Sequence, residues 1–268
     1  MNNTFGFIGT GNMGGALARA AAKAMDPQSV FLSDRAEEKA QALAGELGCQ
    51  AVSVEQAAKT CGYIFLGVKP QVISLLLEQI APILASRSDD FVLVSMVAGV
   101  SIGDIRRMAG KDYGVIRIMP NTPVSVGSGV ILYDATENVT PEALAQWREN
   151  MRYAGLLDNL AEKLIDAGSA VSGCGPAFVC QFLEALADGG VACGLPRDKA
   201  MEYAAYTLMG TAKLVLESGE HPAKLKDAVC SPGGSTIAGV RALEQGGLRA
   251  AAMNAVDAAY RRTKELGK

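Results

Sequence analysis

Thr4-Phe5-Gly6-Phe7-Ile8-Gly9-Thr10-Gly11-Asn12-Met13-Gly14 decides the fold. A short apolar run with strand character passes into glycines spaced GxGxxG, and an alanine-rich stretch with strong helix propensity continues from Met13 to Met25. In a strand-turn-helix unit the first glycine permits the tight turn, the second lets backbone approach a pyrophosphate, and the third lets helix and strand pack closely. The free N–H groups and the positive end of the helix dipole then hold the phosphates. With 30 glycines among 268 residues such spacings also arise by chance, so a glycine-rich turn without a ligand is the competing reading. The preceding strand, and an acid, Asp34, twenty positions after Gly14, favour the dinucleotide site.

Outward from this turn, Val30–Ser33, Tyr63–Val68, Phe91–Met96 and Val115–Ile118 read as strands separated by helical patterns, and Ile131–Tyr133 adds a further candidate. That alternation predicts parallel βαβ units with right-handed crossovers, an α/β Rossmann-type doubly wound domain over residues 1–161. Thr140-Pro141-Glu142 has the cap, the proline and the early acid of a helix start. Strand signals then stop. Ala177–Cys193, Arg197–Glu217, Thr236–Gln245 and Leu248–Leu266 predict a nearly all-helical second domain over 162–268, punctuated by Gly194-Leu195-Pro196, Gly219-Glu220-His221-Pro222 and Gly246-Gly247.

Composition narrows the function. The chain is 49% hydrophobic and 20% charged with a net charge of -3, and its basic residues are scattered, so nothing points to nucleic acid. The longest apolar run, Phe91–Val100, falls short of the roughly 20 residues that span a bilayer. The first residues lack the basic region and unbroken apolar core of a signal peptide. Six cysteines without a CxxC pair, and His221 as the lone histidine, suggest mostly buried free thiols in a reducing cytoplasm and no metal site.

Coenzyme choice falls at Ser33-Asp34-Arg35, where the residues disagree. Asp34 at this spacing accepts from a ribose 2′-hydroxyl and favours NAD, Arg35 with the Ser33 hydroxyl pairs with a 2′-phosphate and favours NADP, and a plain helix cap is the third reading of Asp34. Val68-Lys69-Pro70 and Arg117-Ile118-Met119-Pro120-Asn121-Thr122-Pro123 both leave strands at the carboxyl edge, where open α/β sheets bind ligands. Lys69 is read as facing the cofactor or as a solvated lysine, and Asn121 as an amide for the nicotinamide end or as a structural turn. Ser172-Gly173-Cys174-Gly175-Pro176-Ala177 opens a core helix with small residues, and Cys174, with no histidine near it in sequence, is a poor candidate nucleophile. Ser231-Pro232-Gly233-Gly234-Ser235-Thr236 is a second anion-binding candidate: proline stiffens the turn, the glycines uncover backbone N–H groups, and hydroxyls stand at a helix start. A small carboxylate fits there. A simple Ser235 or Thr236 cap is the alternative, although two glycines exceed what a cap needs.

Taken together, Val68-Lys69-Pro70, Met119-Pro120-Asn121-Thr122-Pro123, Ser172-Gly173-Cys174-Gly175-Pro176 and, above all, Leu225-Lys226-Asp227-Ala228-Val229-Cys230-Ser231-Pro232-Gly233-Gly234-Ser235-Thr236-Ile237 resemble the pyrroline-5-carboxylate reductase family over the whole chain. Cys174 stands where many relatives carry serine, and Ser235 where alanine or threonine is frequent. The resemblance implies a Rossmann domain joined to a helical C-terminal dimerisation domain that completes the active site with a second subunit, in at least a homodimer, with larger assemblies of dimers known in the family. It implies NADPH-dependent reduction of L-1-pyrroline-5-carboxylate to L-proline, with NADH left open. The cofactor set is then Gly9, Thr10, Gly11, Asn12, Met13, Gly14, Ser33, Asp34, Arg35, Val68, Lys69, Pro70, Ala98 and Asn121. Val229, Cys230, Gly233, Gly234, Ser235 and Thr236 form the substrate set, and Thr236 is the catalytic candidate. A β-hydroxyacid dehydrogenase of the same plan resembles a family that needs a lysine on the first core helix of the second domain, and Ala177–Cys193 has none. A dinucleotide sensor without catalysis would need only the first turn.

Overall fold

The computed structural model describes residues 1–266. The chain alternates through β1 (Phe5–Ile8), α1 (Asn12–Ala24), β2 (Val30–Ser33), α2 (Glu37–Leu47), β3 (Gln50–Ala51), α3 (Val54–Thr60), β4 (Tyr63–Leu66), α4 (Ile73–Ala85), β5 (Val92–Ser95), α5 (Ile102–Ala109) and β6 (Gly114–Pro120). Then come β7 (Gly129–Ala135), α6 (Pro141–Asn150), β8 (Gly155–Asn159) and α7 (Glu162–Ser172). Five further helices are α8 (Gly175–Ala192), α9 (Arg197–Ser218), α10 (Pro222–Ala228), α11 (Ser235–Gln245) and α12 (Leu248–Leu266). Compactness divides them into Met1–Cys174 with the residues from Ala259 onward, and Gly175–Ala258. This break falls after α7, one helix later than the boundary at 161/162.

In the first unit the sheet runs β3-β2-β1-β4-β5-β6-β7-β8, parallel through β6. β7 turns antiparallel to β6, and β8 pairs parallel with β7. The reversal follows from length, since the link from Asn121 to Ser128 is shorter than the dozen or so residues a parallel crossover needs. β3 and β8 escaped the sequence reading. Both are edge strands, and the intermediate-to-exposed burial of β8 (Gly155-Leu156-Leu157-Asp158-Asn159) leaves little apolar alternation to detect.

Alternation along β1 sends Phe5 and Phe7 to one face of the sheet and Ile8 to the other, and each face grows its own core. Phe7 stacks on Phe65 at 4.2 Å between centroids, and Phe5 meets Tyr63 edge-on at 4.9 Å. Ile64, Leu66, Leu77, Ile80 and Leu93 fill the opposite face.

A charge inside β6 fixes α7 to this sheet. Arg117, 4% exposed, reaches Glu162 at 3.2 Å and Asp166 at 2.9 Å. Asp134 on β7 accepts from the Glu162 N–H at 2.6 Å, Glu162 accepts from the Ile102 N–H at 2.7 Å, and Lys264 near the end of α12 reaches Asp166 at 3.3 Å. Arg117→Met leaves two carboxylates facing an apolar side chain. The expected loss is about 2 kcal/mol in urea unfolding, below the roughly 3–5 kcal/mol of a fully buried pair because both acids keep partial access to water.

The second unit has a different character. Its buried cluster is Ala187, Ala200 and Ala204, with Leu183, Val191 and Met201 partly buried against it, while Tyr203, Tyr206, Met209, Leu214, Val229 and Met253 are each more than half exposed. The stretch Glu162–Ala192, α7 of the first unit followed by α8 of the second, is long and apolar enough to cross a membrane by length and composition, and 11% of its most apolar window is buried. The expectation of mostly buried thiols is corrected here. Of the six, Cys61 is buried, Cys49, Cys174 and Cys230 are half-buried, and Cys180 on α8 and Cys193 just past it are exposed. Burial pushes the Cys49 and Cys61 thiols up to about 11, which keeps them protonated.

Candidate active site

The end of β1 builds a cradle. Gly9 adopts φ +101°, and a Cβ there would lie 2.6 Å from the Gly67 carbonyl oxygen. Its N–H donates to Ser33 O at 2.8 Å, and the Gly67 N–H donates to Ile8 O at 2.8 Å, lacing the ends of β1, β2 and β4. A Cβ on Gly11 would meet nothing within 4 Å, whereas one on Gly14 would fall 2.0 Å from the Gly9 carbonyl oxygen. The turn is thus open outward at Gly11 and closed inward at Gly14. α1 then starts at Asn12 with no side-chain cap and no acid in its first turn, leaving its amides and dipole for an anion. Sheet order reverses at β1, between β2 and β4, where doubly wound folds bind dinucleotides. Gly9 to Gly14 therefore fit a pyrophosphate.

Next to this cradle, Ser33 is buried at the end of β2, Asp34 is half-buried and Arg35 is exposed. Asp34 does not cap α2, whose N-cap residue is Ala36 without a side-chain bond. Its carboxylate accepts instead from the Thr10 N–H at 2.8 Å, the Thr10 hydroxyl at 3.2 Å and the Ala36 N–H at 3.0 Å. Burial works to raise the carboxyl's pKa, but those donors, with Lys39 nearby, outweigh it and hold the group below its ordinary range. A cleft of about 460 Å³ opens beside it, lined by Ser33, Arg35, Ala51, Val54 and Gln79 among others.

Along the same edge, Val68 packs against the second-face core, Lys69 is exposed, and Pro70 opens a 3₁₀ turn whose Val72 N–H donates to Lys69 O at 2.9 Å. Ala98 is exposed just past β5. Asn121 is occupied: its amide donates to Ser172 O at 2.9 Å while its carbonyl accepts from the Val130 N–H at 2.8 Å. Its side chain ties the β6–β7 link to the end of α7. Arg117 was missed as a structural centre, although a charge within an apolar strand was the signal.

The second unit carries the other turn. Gly233 takes φ +70°, and the Gly234 N–H donates to Ser231 O at 3.0 Å. A Cβ on Gly234 would stand 2.7 Å from the Ser231 hydroxyl and 3.2 Å from the Ser231 carbonyl oxygen, so a larger residue would require Ser231 to move. Gly234 is the N-cap of α11 and makes no side-chain cap bond, so neither Ser235 nor Thr236 caps this helix. Among the described residues the Thr236 hydroxyl has no hydrogen-bond partner, and Ser235 and Thr236 are exposed. Val229 is 64% exposed and Cys230 half-buried on the approach. His221 has a local task, accepting at Nδ1 from the Ala223 N–H at 3.2 Å to cap α10. No cluster of metal-ligating side chains occurs among the described residues.

Residues 162–266 match the family model described as pyrroline-5-carboxylate reductase dimerisation, and residues 4–99 match one described as NADP oxidoreductase coenzyme F420-dependent. The pyrroline-5-carboxylate reductase of Escherichia coli (strain K12) is 39% identical, with 100% of both chains covered. That of Synechocystis sp. is 45% identical over 80% of this chain and 78% of its own. Among solved structures, a pyrroline-5-carboxylate reductase from Coxiella burnetii superposes with TM-score 0.90 at 31% identity over 100% of both chains. The Plasmodium falciparum pyrroline carboxylate reductase with NADP bound gives 0.88 at 32% identity, covering 99% of this chain and 98% of its own. With both of its glycine turns inside a likeness that runs from end to end, the chain belongs to the pyrroline-5-carboxylate reductase family.

Proposed function

We propose that the protein reduces the C=N bond of L-1-pyrroline-5-carboxylate to give L-proline, the last step of proline biosynthesis, with NADPH as reductant. The observation that carries this reading is the start of α11, an uncapped helix end behind two glycines with a free Thr236 hydroxyl, in a chain whose first turn fits a dinucleotide. Bound NADPH supplies the hydride from its nicotinamide. The residues of the chain hold and polarise the acceptor. Since the Gly234 N–H is spent on Ser231, the amides of Ser235, Thr236 and Ile237 take the substrate carboxylate. The Thr236 hydroxyl bonds the imine nitrogen and relays a proton to it, because a threonine hydroxyl is too weak an acid to act alone and an iminium is the better hydride acceptor. Val229 and Cys230 line the approach, and Asn121 acts as a positioning residue through its bonds to Val130 and Ser172.

The segment 162–266 serves as the dimerisation and substrate domain, and its exposed apolar side chains are buried against a second copy. Assemblies of such dimers are tested by light scattering. Six free thiols suit the reducing cytoplasm as its compartment. The test is oxidation of NADPH and of NADH by the purified protein with and without L-1-pyrroline-5-carboxylate, followed by nicotinamide absorbance and by proline formed. Tight NADPH binding with no imine-dependent oxidation would refute the reductase. Arg35→Ala is expected to raise the Kd of NADPH about tenfold and that of NADH less than about twofold, because a guanidinium pairs with a 2′-phosphate and has little to offer a hydroxyl. Equal losses would remove Arg35 from that role.

A further inference from the structure

An acid at the end of the second strand of a dinucleotide fold ordinarily holds a ribose hydroxyl. In this protein that carboxylate is already engaged. Of about four lone-pair positions on Asp34, three are taken by the Thr10 N–H, the Thr10 hydroxyl and the Ala36 N–H, at 2.8, 3.2 and 3.0 Å. Thr10 is 8% exposed and lies between Gly9 and Gly11, so these bonds fasten the phosphate-binding turn to the loop that leaves β2. Against the opposing effect of burial, the donors also hold the carboxyl below its ordinary range. Beside it, Arg35 is exposed and its guanidinium has no partner among the described residues.

We infer that Asp34 is a positioning residue, latching the phosphate turn through Thr10 with protein donors alone, and that discrimination at the ribose 2′ position rests with Arg35. The inference rests on the reading of the first turn as the NADPH site, but the latch is built of protein atoms only, so its contribution to stability can be measured without coenzyme. A ribose-reading acid affects one coenzyme more than the other. A latch shapes the pyrophosphate cradle that NADPH and NADH share, so its loss costs both alike.

The experiment compares Thr10→Val, Asp34→Asn and the double variant with wild type. It measures the melting temperature of the coenzyme-free protein and the Kd of NADPH and NADH by nicotinamide fluorescence. Thr10→Val keeps the charge of Asp34, so its coenzyme ratio is free of any change in electrostatic repulsion toward a 2′-phosphate. The expected result is a lower melting temperature for both single variants, with the double variant close to Asp34→Asn alone, as for residues sharing one network. Thr10→Val should raise both Kd values by the same factor, to within about threefold. An unmoved melting temperature in both single variants overturns the latch, and so does a loss in Asp34→Asn confined to NADH by about tenfold or more. A wild-type protein that binds neither coenzyme would defeat the NADPH reading instead, leaving the melting comparison to decide the latch.

Discussion

Thr236→Ala is expected to lower kcat by about 10²-fold or more, within the roughly 10²–10⁴-fold range of a positioned proton donor, while the Kd of NADPH stays within about twofold of wild type. The reasoning is local. The hydroxyl stands at the first turn of α11 with no partner among the described residues and caps nothing, so its removal costs the helix little. The backbone amides that take the carboxylate survive the substitution, so KM should move less than kcat. Thr236→Ser keeps the hydroxyl and should recover most of the rate. Stopped-flow hydride transfer with both variants separates the chemical step from product release. A full-rate alanine variant would sink the proton role and leave only the amides at this turn.

Met209→Glu is expected to abolish the dimer and, with it, the reductase activity. Tyr206 and Met209 lie three residues apart on α9, on one helix face, at 64% and 61% exposure. Side chains of this size contribute about 1.5–3 kcal/mol each when fully buried, whereas the unit's own buried cluster is three alanines. Such a segment depends on a partner for its core, and a carboxylate in that surface exchanges burial for an unpaired charge. Sedimentation should give the mass of one chain, and the helical signal should melt at lower temperature, while NADPH binding to the first turn persists. Lys213→Ala, on a solvated side chain that pairs with Glu217, is the control and should remain dimeric. A dimeric, active Met209→Glu protein would place the interface elsewhere.

What could be read from the sequence follows the chemistry that restricts residue choice. Gly9 and Gly233 were legible because their backbones are left-handed, a conformation other residues avoid. The buried strands β1, β4 and β5 showed as apolar runs because both faces of a parallel sheet are covered. β8 did not, since an edge strand needs no such run. Asp34 and Asn121 mark a different limit. Residue type and spacing placed both at the carboxyl edge, but whether a polar side chain is free depends on neighbours distant in sequence. Asp34 meets Thr10 across 24 positions, and Asn121 meets Ser172 across 51. Arg117 is the same lesson with opposite sign, since its charge in a strand made sense only once Glu162 and Asp166 arrived on α7.

The last helix has a bearing on how the protein is made. α12 begins in the helical unit and from Ala259 onward belongs to the nucleotide-binding unit, where Lys264 meets Asp166. Gly175–Ala258 is therefore an insertion, with parts of the other unit on both sides of it in the sequence. During synthesis the sheet can assemble early, as amino-terminal parts generally do, but the ion pair of Asp166 on α7 with Lys264 on α12 forms only after the whole insertion has emerged from the ribosome. Loss of the α12 turns beyond Ala259 would thus be felt first by the unit whose sheet precedes the insertion.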